Sequence, residues 1–193
     1  MRNGIGRCVG LVALFVVMGV EGAAGQVFTP TFMAPRSSSD LGIYLSDGPG
    51  EFSIEGIWRR SSGSYDLGLR GGVADADDLI LLLGAEIRNP LSVSAPIDVA
   101  VSGTAQGAFG DRSAGGVLLG VAVGHTFEAD DLAITPYFHP RAGMVRPFFP
   151  DEWDLELLAD IGVDVRIGSN LELRFGFGFD EPTTDWGIGL AWR

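Results

Sequence analysis

In "LELRFGFGF" (Leu171–Phe179) every odd position is bulky and apolar, while the even ones are Glu, Arg, Gly and Gly. Neighbouring side chains on a strand point to opposite faces, so such a stretch makes one oily face and one charged or empty face. The period of two recurs along the chain, and almost no segment carries the longer period of an amphipathic helix. It predicts ten strands: 40–46, 51–60, 65–73, 79–88, 97–104, 117–127, 132–145, 153–167, 171–180 and 185–193. Turn-type sequences such as "DGPG", "SSGS", "EADD", "GSN" and "DEPTT" separate them, and "AQGAFGDRSAGG" is the longest expected connection.

Sorting each strand by parity shows what the two faces hold. In 153–167, Trp153, Leu155, Leu157, Ala159, Ile161, Val163, Val165 and Ile167 alternate with Asp154, Glu156, Leu158, Asp160, Gly162, Asp164 and Arg166. In 65–73, Tyr65, Leu67, Leu69 and Val73 oppose Asp66, Gly68, Arg70 and Gly72. The second face also collects Glu86, Arg88, Asp98, Ser102, Thr135, Tyr137, His139 and Arg141.

The fold class implied is all-β, a closed antiparallel up-and-down barrel of about ten strands, with eight as the alternative count. A soluble barrel of lipocalin type turns its apolar face inward; a membrane barrel turns it outward to lipid. Three features favour the membrane. Glycine is frequent on the polar face, where it is costly against water but useful in a crowded interior. Arg alternates closely with Asp and Glu, as confined charges must pair. Aromatic residues gather near strand ends (Trp58, Tyr65, Phe127, Trp153, Phe179, Trp186 and Trp192), where interfacial girdles belong. An even strand number puts both termini on one side, expected to be the periplasm, with acidic loops on the other.

Residues 1–25 read as a signal peptide: Arg2 and Arg7 form a basic start, "VGLVALFVVMGV" an apolar run, and "EGAAG" a small-residue cleavage site before Gln26. The run is too short to anchor the chain, since a spanning helix takes about 20 apolar residues. Residues 26–38, rich in Pro and Ser, are expected to form a periplasmic tail, with a plug in the lumen as the alternative, and 39–193 the barrel. Taking Arg2, Arg7 and Glu21 from totals of 13 basic and 25 acidic residues leaves 11 and 24, a net charge of −13. That argues against nucleic acid as a partner. Cys8 lies in the leader, so the exported chain has no thiol for disulfides or metal.

With its signal peptide, its alternating strands and the terminal "DWGIGLAWR", the chain resembles small bacterial outer-membrane β-barrel proteins, the OmpA-like and opacity-type porin-family class. The likeness covers nearly the whole exported chain. It implies an outer-membrane location, insertion by the outer-membrane assembly machinery, contact with lipid and lipopolysaccharide, and a monomer. One departure is that Arg193 follows Trp192, where such last strands usually end on the aromatic.

The candidate site is a lumen charge network: Asp66, Arg70, Glu86, Arg88, Asp98, His139, Arg141, Asp154, Glu156, Asp160, Asp164, Arg166, Glu172 and Arg174. Such a lining either selects small solutes or fills a narrow barrel with paired charges. The expected role is structural or narrowly porin-like and non-enzymatic, with no cofactor and no metal. An outer-membrane hydrolase built on His139, or a secreted binding barrel, is the alternative.

Overall fold

The computed structural model describes residues 29–75, 78–149, 152–180 and 183–193, so the signal-peptide reading lies outside the described residues. Eleven strand segments follow in chain order: β1 (Asp40–Ser46), β2 (Phe52–Ser62), β3 (Tyr65–Asp75), β4 (Leu79–Leu91), β5 (Asp98–Phe109), β6 (Ser113–Gly124), β7 (Phe127–Ala129), β8 (Leu132–Arg146), β9 (Asp154–Ile167), β10 (Leu171–Asp180) and β11 (Thr183–Trp192). Apart from β6 and β7, consecutive strands pair antiparallel, and β1 pairs with β11, which closes the sheet. β6 and β7 occupy one position, since both pair with β8 in the same register. The wall is therefore a ten-strand antiparallel barrel. The break between them falls where His125 meets Pro136 and donates to its carbonyl at 3.3 Å. Proline has no N–H to return the bond, so the ladder lapses there.

Strand boundaries depart from the sequence expectation mainly at the stretch read as the longest loop. β5 runs on to Phe109 and β6 begins at Ser113, leaving only Gly110–Arg112 as the turn. Gly107 faces Gly115, and Ala108 faces Ala114, across that hairpin. Small residues there signalled a loop, whereas the backbone ladder uses them as strand.

The polarity of the wall is inside out. In β10, Glu172 and Arg174 are buried while Phe177 and Phe179 are exposed. Among the described residues 36 large apolar side chains are exposed, an area far beyond the patches of an ordinary aqueous surface. Aromatics mark both rims of this band. Trp58, Tyr65, Phe127 and Trp192 sit at the near end, the end holding Asp40 and Arg193, and Trp153, Phe179 and Trp186 at the far end. Phe52 and Phe109 join the far group, also exposed at strand ends. Arg193 turns back to Glu172 at 2.5 Å, which leaves Trp192 as the last side chain on the outer face.

Two corrections concern the interior. Inward-facing residues are not uniformly polar: Ala74, Leu82, Ala108, Ala114, Leu118, Val145 and Leu158 form an apolar cluster with Ile80 and Phe148 packed on it. It fills the far half of the lumen along β3–β9. The second correction is larger. The described part of the segment expected as a periplasmic tail is threaded into the barrel, with Thr29, Thr31, Phe32, Met33 and Ala34 no more than 4 % exposed. From Thr29 to Pro35 the sequence is uncharged and proline-rich, which suits a dry interior, since Pro30 and Pro35 bring no N–H that would need a partner.

Candidate functional site

The site is the lumen, and its wall is built from arginines on neighbouring strands, each held by a carboxylate of the wall. Arg59 of β2 donates through Nε to Glu86 of β4. Arg70 of β3 forks onto Glu55 of β2 at 2.7 and 2.9 Å. Arg88 of β4 meets Asp66 of β3 at 2.7 and 2.9 Å, and Arg141 of β8 meets Asp160 of β9 at 2.7 Å. Arg174 of β10, 1 % exposed, is gripped by Asp40 at 2.8 Å, by Glu172 at 2.7 Å and by the Tyr44 hydroxyl at 2.6 Å. A guanidinium brings five donors in a fixed plane, so one arginine serves several acceptors at once. Period-two alternation and antiparallel register supply the geometry: Arg174 stands opposite Asp164, and Asp66 opposite Arg88.

Residues 29–36 lie against this wall as a ligand would. Arg59 Nη2 donates to the Thr31 carbonyl at 2.9 Å, Arg70 reaches the Pro30 carbonyl and Thr29 Oγ1, and Arg88 reaches the Ala34 carbonyl. Thr29 Oγ1 donates to Glu55 at 2.6 Å. At the near mouth Arg36 bonds Asp98 at 3.1 Å and Glu128 at 3.3 Å. Phe32 packs on Tyr44 with ring centroids 4.6 Å apart. The glycine-rich polar face now has its reason: a Cβ on Gly187 would stand 2.5 Å from Phe32, and one on Gly189 2.1 Å from Tyr44. Phe32 itself has φ 51°, a left-handed conformation uncommon for a bulky residue.

His139 joins wall and segment. Its Nε2 lies 2.7 Å from Ser102 Oγ, and its Nδ1 lies 3.0 Å from Thr31 Oγ1. Thr31 Oγ1 donates to Asp160 at 2.5 Å, so it accepts from Nδ1–H, and Nε2 is left to accept from Ser102. The residue types are those of a nucleophile, a base and a carboxylate, but Asp160 stands 3.5 Å from the imidazole with the threaded Thr31 bonded to both. Geometry makes His139 a coupling between wall and segment.

Of the residues singled out from sequence, Asp66, Arg70, Glu86, Arg88, His139, Arg141, Asp160, Asp164, Glu172 and Arg174 are buried. Four others stand apart. Asp98 and Arg166 lie part-exposed at the near mouth, paired with Arg36 and Glu128. Asp154 is exposed and bonds the next backbone N–H at 2.8 Å, and Glu156 is half-buried beyond the apolar cluster. Their parity points inward, but at a strand end parity leads to water. Asp40, Tyr44, Glu55, Arg59 and Ser102 belong to the network and were missing from the sequence set. Arg59 stands next to the end of the strand expected at 51–60, and β2 continues through Ser62 and carries it inside. Thr31 gave no signal at all, since no strand pattern covers it.

Two small cavities lie beside the segment among the described residues. Cavities of about 20 Å³ beside Ala34, Asp164 and Glu172, and about 10 Å³ beside Thr29, Glu55 and Arg70, each hold about one water. Among the described residues, the segment, the arginines and the apolar cluster share the interior.

Fold and site define a closed ten-strand barrel with an apolar exterior and an occupied, ion-paired lumen. No family model matches the chain, and no curated protein does. Among solved structures it is similar to a KdgM porin in complex with disordered oligogalacturonate, with TM-score 0.46 and 8 % identity over 80 % of this chain and 97 % of that one. It is also similar to a KdgM porin, with TM-score 0.45 and 8 % identity over 80 % and 98 % of the two chains. A structure described as de novo design of transmembrane beta-barrels matches with TM-score 0.38 and 16 % identity over 81 % and 97 %. None of these bears the OmpA-like or opacity-type description.

Proposed function

We propose that the chain is an outer-membrane β-barrel of the bacterial envelope, exported by a cleaved signal peptide, with a porin-like architecture and a non-enzymatic role. The observation that carries this is the inverted polarity: Leu119 and Leu157 are 69 % and 78 % exposed while Arg174 is 1 % exposed. In water this arrangement leaves the apolar face unburied; in lipid that face meets hydrocarbon, while the charges inside stay paired. A sheet in hydrocarbon must close, because unpaired backbone groups there cost several kcal/mol each, and the β1–β11 pairing closes it. The near end faces the periplasm and the far end, with its acidic turns, faces lipopolysaccharide. The general assembly machinery inserts the barrel, which works as a monomer.

Membrane fractionation with gel electrophoresis of unheated and boiled samples tests this. The expected result is an outer-membrane protein that migrates faster unheated. Recovery in the soluble periplasm without detergent rules the reading out.

A further inference from the structure

The threaded segment is bound to a wall that does not need it. Arg59, Arg70 and Arg88 each give a hydrogen bond to the segment's backbone, yet each keeps a wall carboxylate of its own in Glu86, Glu55 and Asp66. Asp160 likewise retains Arg141. Withdrawing residues 29–35 therefore leaves ion pairs, not orphaned charges, and orphaned charges are what make a buried site collapse or refuse to open. The segment brings no charge of its own from Thr29 to Pro35. Its ring, Phe32, sits in a recess cleared by Gly176 and Gly187 and holds a left-handed φ. Such a φ is strained for a bulky residue, and the contacts of the seated segment hold it there.

The space it fills also has a direction. The apolar cluster occupies the β3–β9 side of the far half, whereas Phe32 lies against Gly176 of β10 and Gly187 of β11. Removing the segment takes Phe32 away from the glycine-lined side and leaves the cluster in place.

Resting on the outer-membrane reading, we propose that the lumen wall is a preorganised site for an extended, uncharged peptide, that residues 29–35 occupy it in cis as a displaceable plug, and that the barrel conducts when the site is vacated. The ligand class follows from the wall: backbone carbonyls for Arg59, Arg70 and Arg88, one hydroxyl between His139 and Asp160, and one aromatic ring for the Tyr44 recess.

Planar-bilayer recordings compare the full chain with a chain lacking residues 29–35, with the synthetic peptide TPTFMAP then added. The full chain is expected to stay near baseline, the shortened chain to give discrete current steps, and the peptide to remove them in a saturable manner. A peptide carrying Val in place of its second Thr is expected to block more weakly. A shortened chain that still shows the unheated fast band yet passes no current overturns the plug and leaves the outer-membrane reading intact. Recovery of the full chain outside the membrane fraction strikes that reading instead. Should the shortened chain fail to fold, Thr31→Cys in a Cys8→Ser background decides. Modification by a small water-soluble thiol reagent in the folded barrel, faster when Phe32→Ala is added, is the expected result. A thiol that stays unmodified in both until the barrel is denatured overturns displacement.

Discussion

Thr31 Oγ1 lies 2.5 Å from Asp160 Oδ2, and this contact joins the threaded segment to β9 while the same hydroxyl accepts from the imidazole of His139. Thr31→Val keeps the shape and deletes the hydroxyl, leaving one lone pair of a buried carboxylate and the His139 Nδ1–H without that partner. An unmade buried hydrogen bond costs about 1–3 kcal/mol, more beside a charge. The urea midpoint for loss of the unheated fast band is expected to drop in Thr31→Val and to recover in Thr31→Ser. Identical midpoints for the wild type and Thr31→Val would mean the contact contributes nothing.

Arg174 is the centre of the second half of the network, with Asp40, Glu172 and Tyr44 in direct contact and Asp164 at 3.4 Å. Arg174→Met fills much of the volume but leaves several carboxylates facing one another in a dry interior. Breaking a buried ion pair from one side costs about 3–5 kcal/mol. The expected outcome is a large loss of stability that adding Glu172→Gln partly restores, because it removes one uncompensated charge. Stability unchanged by Arg174→Met, measured in the same urea titration, contradicts the ion-pair account.

Glycine on the inner face works through close approach. A Cβ at position 189 would stand 2.1 Å from Tyr44 Cδ1, so Gly189→Ala must push the ring off the wall. Overpacking of this kind costs about 1–3 kcal/mol. In a Tyr44→Ala background the same substitution is expected to cost close to nothing, giving a positive coupling in a double-mutant cycle. Equal costs in the two backgrounds would place the effect in the backbone instead of in the ring.

How much of this was legible follows from what alternation can carry. Period-two patterning fixes both strand identity and face, so Glu172 and Arg174 could be assigned inward from "LELRFGFGF" alone. It says nothing about height along the barrel, which is why Asp154 and Asp98 were grouped with Asp160 although they stand at opposite rims. Composition misled where small residues build strands, as at Gly107 and Gly115. The plug stood only as the alternative to a tail because Thr29–Ser39 has no period; its hydrogen bonds come from Arg59, Arg70 and Arg88, residues distant in sequence that only the closed sheet brings together. Scarce N–H donors and the absence of charge from Thr29 to Pro35 were the one available hint that this stretch sits in a dry place.

Leu119 tests the lipid face by sign. It lies at mid-height of β6, opposite Gly103 of β5 and Ala142 of β8, and is 69 % exposed. If that surface meets hydrocarbon, Leu119→Arg must bring a cation to the bilayer midplane, at about 2–4 kcal/mol. Ile167→Arg, at the near end of β9, places the same charge close to the interface, where the cost falls to about 0–1 kcal/mol. On an aqueous surface neither change would cost folding energy, and both would improve solubility. Refolding titrations into lipid vesicles are expected to show the large penalty for Leu119→Arg alone. Equal, near-zero penalties at the two heights would mean the exposed leucines face something other than a bilayer.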